Sequence, residues 1–144
     1  AGEWQLTDYV KKGIELLENK KGFFLMTESG KIDWACHAND AAASIHDVLE
    51  MSNAVQAAVD FYNAHPNETL ILVTADHGNA DNAVNADGTP NTAHSLNPVP
   101  IVVVSDRVKS VHDGILADVA PTVLKLMGLE QPAEMTGKAL VEMK

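Results

Sequence analysis

The sequence predicts an α/β chain, a mostly parallel sheet flanked by helices, and three observations predict it. Residues 22–26, 70–73 and 101–104 are short apolar runs of strand length, the last two rich in β-branched residues. Helical patterns alternate with them, the order expected of βαβ units. Carboxylate and imidazole side chains follow directly on the first two runs, at the strand ends where open α/β sheets bind ligands. Three strands make a small sheet whose edges expect partner strands, so an incomplete part of a larger domain is anticipated.

Taken in order, residue 6 to about 18 reads as an amphipathic helix, with Thr7 as N-cap and Tyr9, Val10, Ile14 and Leu17 on its apolar face. Asn19-Lys20-Lys21-Gly22 ends it and turns into the first strand. After His37, Asn39 or Asp40 can cap a helix with Ala42, Ile45, Val48 and Leu49 on one face. Ser52 or Asn53 can cap its continuation through Ala54, Val55, Ala58, Val59 and Tyr62, which His65-Pro66 stops. The strand at 70–73 runs into Asp76-His77-Gly78. A long polar loop, 78–99, follows, with Asp87-Gly88 as its turn. Pro98 and Pro100 fix the entry to the strand at 101–104. A helix from Asp118 to Met127 turns Val119, Val123, Leu126 and Met127 inward, tolerates Pro121 in its first turn and closes at Gly128. The tail after Leu129 is expected to pack loosely around a short helix or strand.

The 144 residues suffice for one domain with a real core. Ten basic residues against twenty acidic ones, a net charge of −10, argue against nucleic-acid or anionic-membrane binding. The same surface repels phosphate esters unless bound metal reverses the local sign. No apolar run approaches a membrane span, and no signal-peptide pattern opens the chain. Cys36 is the only cysteine, so an intrachain disulfide is excluded, and it reads as a small, partly buried residue rather than a ligand.

The chemistry lies in three segments. Asp76 and His77 stand side by side just past a strand. Asp33 and His37, four apart, share a face if the chain is helical there. His94 sits in the loop before the strand at 101–104. One carboxylate and two imidazoles with a fourth position open is the arrangement of a catalytic metal, and oxygen and nitrogen donors together suit zinc or manganese. His46, His65 and His112 read as surface or capping residues. Ser29 and Ser95 neighbour the donors but lack an activating base, so they read as turn formers. Trp34 is either a wall of the site or a core aromatic.

Residues 7–74, above all GFFLMTESGKIDWACHANDAAASIHDVLE, resemble the C-terminal half of bacterial alkaline phosphatases. Residues 70–144, with TADHGNAD, NTAHSLNPVP, DGILADVAPTVLKLMG and EMTGKAL, are similar to the C-terminal end of cofactor-independent phosphoglycerate mutases. The two families share a superfamily fold and a two-metal phosphoryl-transfer core. The resemblance implies that Asp33, His37 and His94 hold one metal and that Asp76 and His77 serve a second. Glu28 matches the carboxylate that holds a magnesium in alkaline phosphatases, a third site absent from the mutases. It further implies that residues 1–144 form a single metal-binding domain, the C-terminal part of an alkaline-phosphatase-like catalytic domain.

In such enzymes two metals about 4 Å apart bind the attacking and leaving oxygens of a phosphate monoester. The family's serine nucleophile, and an aspartate for the second metal, come from a segment upstream of these motifs that this chain is not expected to contain. No catalytic residue is therefore assigned, and little native turnover is expected of the chain alone. A mutase-like protein would be cytoplasmic and a phosphatase-like one exported. Two other classes compete: a non-catalytic metal-binding module, and a structural module whose unpaired sheet edge drives homodimerisation.

Overall fold

The structure, a computed structural model, describes residues 2–144. In chain order the elements are α1 (Leu6–Leu17), α2 (Lys31–His37), α3 (Ala41–Ala64), β1 (Ile71–Thr74), β2 (Ile101–Val104), β3 (Val108–Val111), α4 (Val119–Met127) and β4 (Val141–Met143), with 3₁₀ turns at Ala80–Asn82 and Leu116–Asp118. They fall into two compact units. Among the described residues the first comprises 2–61 and 77–98, the second 62–76 and 99–144.

In the first unit the N-cap of α1 is Gln5 rather than Thr7. The Asp8 carboxylate reaches back to accept from the Gln5 amide at 3.0 Å, satisfying a donor that the helix cannot. Thr7 lies inside the helix, and its amide donates instead to Glu50 of α3 at 2.9 Å. Val10 is buried against Ala54 and Ala57, with Leu6 and Ile14 beside it. Small residues on α3 let α1 approach closely. Tyr9 and Leu17 are exposed, Tyr9 packing on Trp4 with ring centroids 5.4 Å apart. Gly22, at φ +85°, makes the turn after α1 in a conformation side chains disfavour.

Residues 22–26 do not form the expected strand. Leu25 lies over Gly13 of α1 and Phe23 packs on Phe61, but no neighbouring chain among the described residues pairs with the backbone there. Met26 is 75% exposed. A strand is defined by its partner, and apolar composition alone does not supply one.

Asn39, at φ +53°, separates α2 from α3, and Asp40 caps α3 by accepting from the Ala43 amide at 3.0 Å. Helix α3 runs without a break to Ala64, so Ser52 and Asn53 are interior residues rather than caps. Its Ile45, Val48 and Leu49 face is exposed.

The sheet of the second unit is antiparallel, not parallel. β1 pairs with β2 from Ile71↔Val104 to Thr74↔Ile101, and β3 pairs with β4 in a separate two-stranded sheet. A parallel pair needs a crossover helix; residues 75–100 contain only a 3₁₀ turn and loop, so the chain returns antiparallel. The tail read as loose supplies β4, whose Val141 is 2% exposed. Thr122 of α4 is fully buried: its hydroxyl donates to the Asp118 carbonyl at 2.7 Å and accepts from the Leu140 amide at 2.9 Å. The Asp118 carboxylate accepts from the amides of Ile115 and Lys138, at 2.9 and 2.7 Å. These two residues tie the segment that leads into β4 to the start of α4. Gly128 closes α4 in the left-handed region, as expected.

Candidate metal centre

Helix α2 is about two turns long and carries Asp33 and His37 on one face. The loop 78–97 brings His94 to the same place. It is a folded-back ribbon: Gly78 and Ser95 form an antiparallel bridge, as do Val84 and Pro90, and Gly88 at φ +82° turns its tip.

Asp33, His37 and His94 each offer one donor atom, all within 4.8 Å of one another. His37 Nε2 lies 3.1 Å from Asp33 Oδ2 and 3.1 Å from His94 Nε2, and His94 Nε2 lies 3.3 Å from Asp33 Oδ1. Bonds of about 2.0–2.2 Å from a tetrahedral ion set donors about 3.3–3.6 Å apart, and from an octahedral ion about 2.8–3.1 Å. The observed spacings, measured to both Asp33 oxygens, lie at the edge of each range, so the group is of a size to hold one small divalent ion with modest adjustment of the side chains. The Thr92 carbonyl lies 2.5 Å from His37 Nδ1, which fixes the ring hydrogen there and leaves the Nε2 lone pair facing Asp33 and His94.

Asn79 is buried and donates from its side-chain amide to Asp33 Oδ1 at 3.0 Å. This bond is the largest cause holding the Asp33 carboxyl below its ordinary range. Burial opposes it, while the nearby His37, His94 and His77 add to it.

His77 stacks on His94, ring centroids 3.5 Å apart, with its Nε2 3.9 Å from Asp33 Oδ1. Asp76 belongs to the second unit and is exposed; Glu28 is exposed and stands outside the three-residue group. Trp34, read as either a site wall or a core aromatic, is 70% exposed and is no core residue. Cys36 is buried, its sulfur 3.6 Å from the Ser44 hydroxyl. His46 and His112 are exposed beside Asp47 and Glu142. Sequence reasoning passed over Asn79 and Asp81. Both lie within the GNAD run directly after His77, and that proximity was the available signal.

The helices, short strands and Asp/His group define a partial alkaline-phosphatase-like α/β fold. The family profile described as alkaline phosphatase matches residues 2–136, and the chain belongs to the alkaline phosphatase family. Its curated relatives include the 2,3-bisphosphoglycerate-independent phosphoglycerate mutases of Parabacteroides distasonis, 44% identical over 132 residues, and Bacteroides thetaiotaomicron, 43% over 132. Each match covers 91% of this chain and 26% of the relative. The mutase of Flavobacterium psychrophilum is 38% identical over 128 residues, 89% of this chain and 25% of that protein. The chain thus spans about a quarter of the length of these relatives. Mutase likeness extends well upstream of residue 70, so the two resemblances overlap over most of the chain.

Among solved structures, the alkaline phosphatase from the Antarctic bacterium TAB5 superposes with a TM-score of 0.60 at 25% identity, over 69% of this chain and 33% of that one. A variant of the same enzyme with magnesium bound gives 0.59 at 24% identity, over 69% and 34%.

Proposed function

We propose that this chain supplies a divalent-metal centre, Asp33, His37 and His94, of a phosphoryl-transfer enzyme acting on phosphate monoesters. The observation that carries the reading is the convergence of these three donors from α2 and a distant loop. Zinc or manganese suits the donor set, and the bound ion would act as a Lewis acid on a phosphoryl or leaving-group oxygen. The protein's own contribution is positional. Asn79 holds Asp33, and the Thr92 carbonyl fixes the His37 ring. His77 supports the His94 ring from one side.

Asp76 and His77 are assigned to a second metal and Glu28 to a magnesium, on family resemblance. Mutase-type transfer rather than hydrolysis is favoured by the greater identity to phosphoglycerate mutases.

Elemental analysis by mass spectrometry tests the metal reading, on wild type and His94→Ala equilibrated with zinc or manganese. About one tightly held ion per chain, lost in the variant, is expected of a three-ligand site. No ion retained by wild type, or equal retention by both proteins, would overturn it.

A further inference from the structure

The three donors differ in how they are held. Asp33 and His37 ride on a helix, which fixes their spacing. His94 stands on an exposed loop and needs a separate anchor. Directly after it, the Ser95 hydroxyl donates to Asp81 Oδ2 at 2.7 Å, and the Asn97 side-chain amide donates to the same oxygen. Ser95 also donates its amide to the Gly78 carbonyl at 2.7 Å, and its hydroxyl accepts from the Asn97 amide at 3.3 Å. The residues flanking His94 on its C-terminal side are therefore bound to the 3₁₀ turn that follows His77.

Gly78 permits this approach. A Cβ there would fall inside van der Waals contact of the Ser95 hydroxyl and the Asp81 carboxylate. The place is built around one carboxylate that none of the proposed metal roles uses.

We infer that Asp81 is the positioning residue for His94: through Ser95 and Asn97 it fixes the loop that stacks the His94 ring on His77 and presents Nε2 beside Asp33. Asp81 touches no proposed metal position and acts only through the loop. The inference rests on the metal reading for its functional meaning, but the positioning itself exists without an ion. Its energetic basis is a pair of hydrogen bonds to a charged acceptor, stronger than neutral ones and lost together when the carboxylate is removed.

The test uses the full chain, with Asp81→Ala and Asp81→Asn beside wild type. Asp81 is exposed, so neither change opens a core cavity. In metal-free protein, the His94 ring-proton NMR resonances carry the shift that stacking on His77 imposes, and amide exchange reports the Ser95 hydrogen bond. Asp81→Ala is expected to move the His94 resonances toward random-coil values and speed Ser95 exchange about tenfold or more, the β3–β4 amides unchanged. Cobalt(II) affinity, read from its visible spectrum, is expected to fall about tenfold, as for other supports of metal-ligating histidines. Asp81→Asn keeps a neutral acceptor oxygen and is expected to recover part of both effects, falling between Asp81→Ala and wild type. Wild-type His94 resonances and Ser95 exchange in Asp81→Ala would overturn the inference, whatever the metal result. Cobalt absent from wild type, with the His94 shift still lost in Asp81→Ala, would uphold the positioning and overturn the metal reading instead.

Discussion

Replacing Asn79 by alanine isolates the support given to one donor. Asn79 is buried, 8% exposed, and its amide donates to Asp33 Oδ1 at 3.0 Å. A hydrogen bond to a charged group contributes about 1.5–3 kcal/mol to stability. The Asp33 side chain is 28% exposed, so water recovers part of that in the variant, and about 1–2 kcal/mol remains. At about 1.4 kcal/mol per decade this corresponds to a roughly 5- to 30-fold loss of zinc affinity, in line with other second-layer partners of metal ligands. The assay is competition with a chromophoric chelator at fixed pH, with the thermal transition followed in parallel. The carboxylate stays in place, so stoichiometry should hold while affinity falls. A dissociation constant within twofold of wild type would refute the reasoning. It would mean that His37 and His94 alone orient Asp33, and that the Asn79 bond serves only the loop.

Two further predictions concern the second unit. Thr122→Val keeps the volume but removes the hydroxyl that joins the Asp118 carbonyl to the Leu140 amide, so a buried N–H loses its partner at a cost of about 1–3 kcal/mol in urea unfolding. Thr122→Ser keeps the hydroxyl and should cost less. A Thr122→Val chain as stable as wild type would contradict the role given to these bonds. Amide donation from Ile115 and Lys138 holds the Asp118 carboxyl below its ordinary range. Its stabilisation is therefore fully present above the unfolded value near pH 4 and is lost as pH falls through the lower folded value. The urea midpoint should fall on acidification from pH 5 to pH 3, and less steeply in Asp118→Asn. Equal slopes would remove Asp118 from the acid response.

The candidate site was more legible in the sequence than the sheet. Asp33 and His37 need only helical spacing to share a face, and His94 only a loop able to fold back. The first condition is local; His94 was placed with the other two by the family resemblance, since it meets His37 from 57 residues away. Strand pairing is not local: the runs at 70–73 and 101–104 were read as strands, the first one residue early, but their direction depended on what joins them. The run at 22–26 has strand composition and no partner among the described residues. β3 was missed because Val108-Lys109-Ser110-Val111 is short and half polar, and its pairing with β4 is an event 30 residues away. Asp81 and Asn79 went unread because their partners lie 14 and 46 residues distant.

His37 and His94 are 57 residues apart along the chain, and their ring nitrogens meet at 3.1 Å. An ion held by both would close a covalent-coordinate ring around everything between them, all of β1 included. Closing a ring of that size removes about 4 kcal/mol of chain entropy from the unfolded ensemble on the cross-link model. The ion would thus behave as a removable staple. A chelator should lower the unfolding temperature of the chain, and free metal concentration should set resistance to proteolysis between residues 38 and 93.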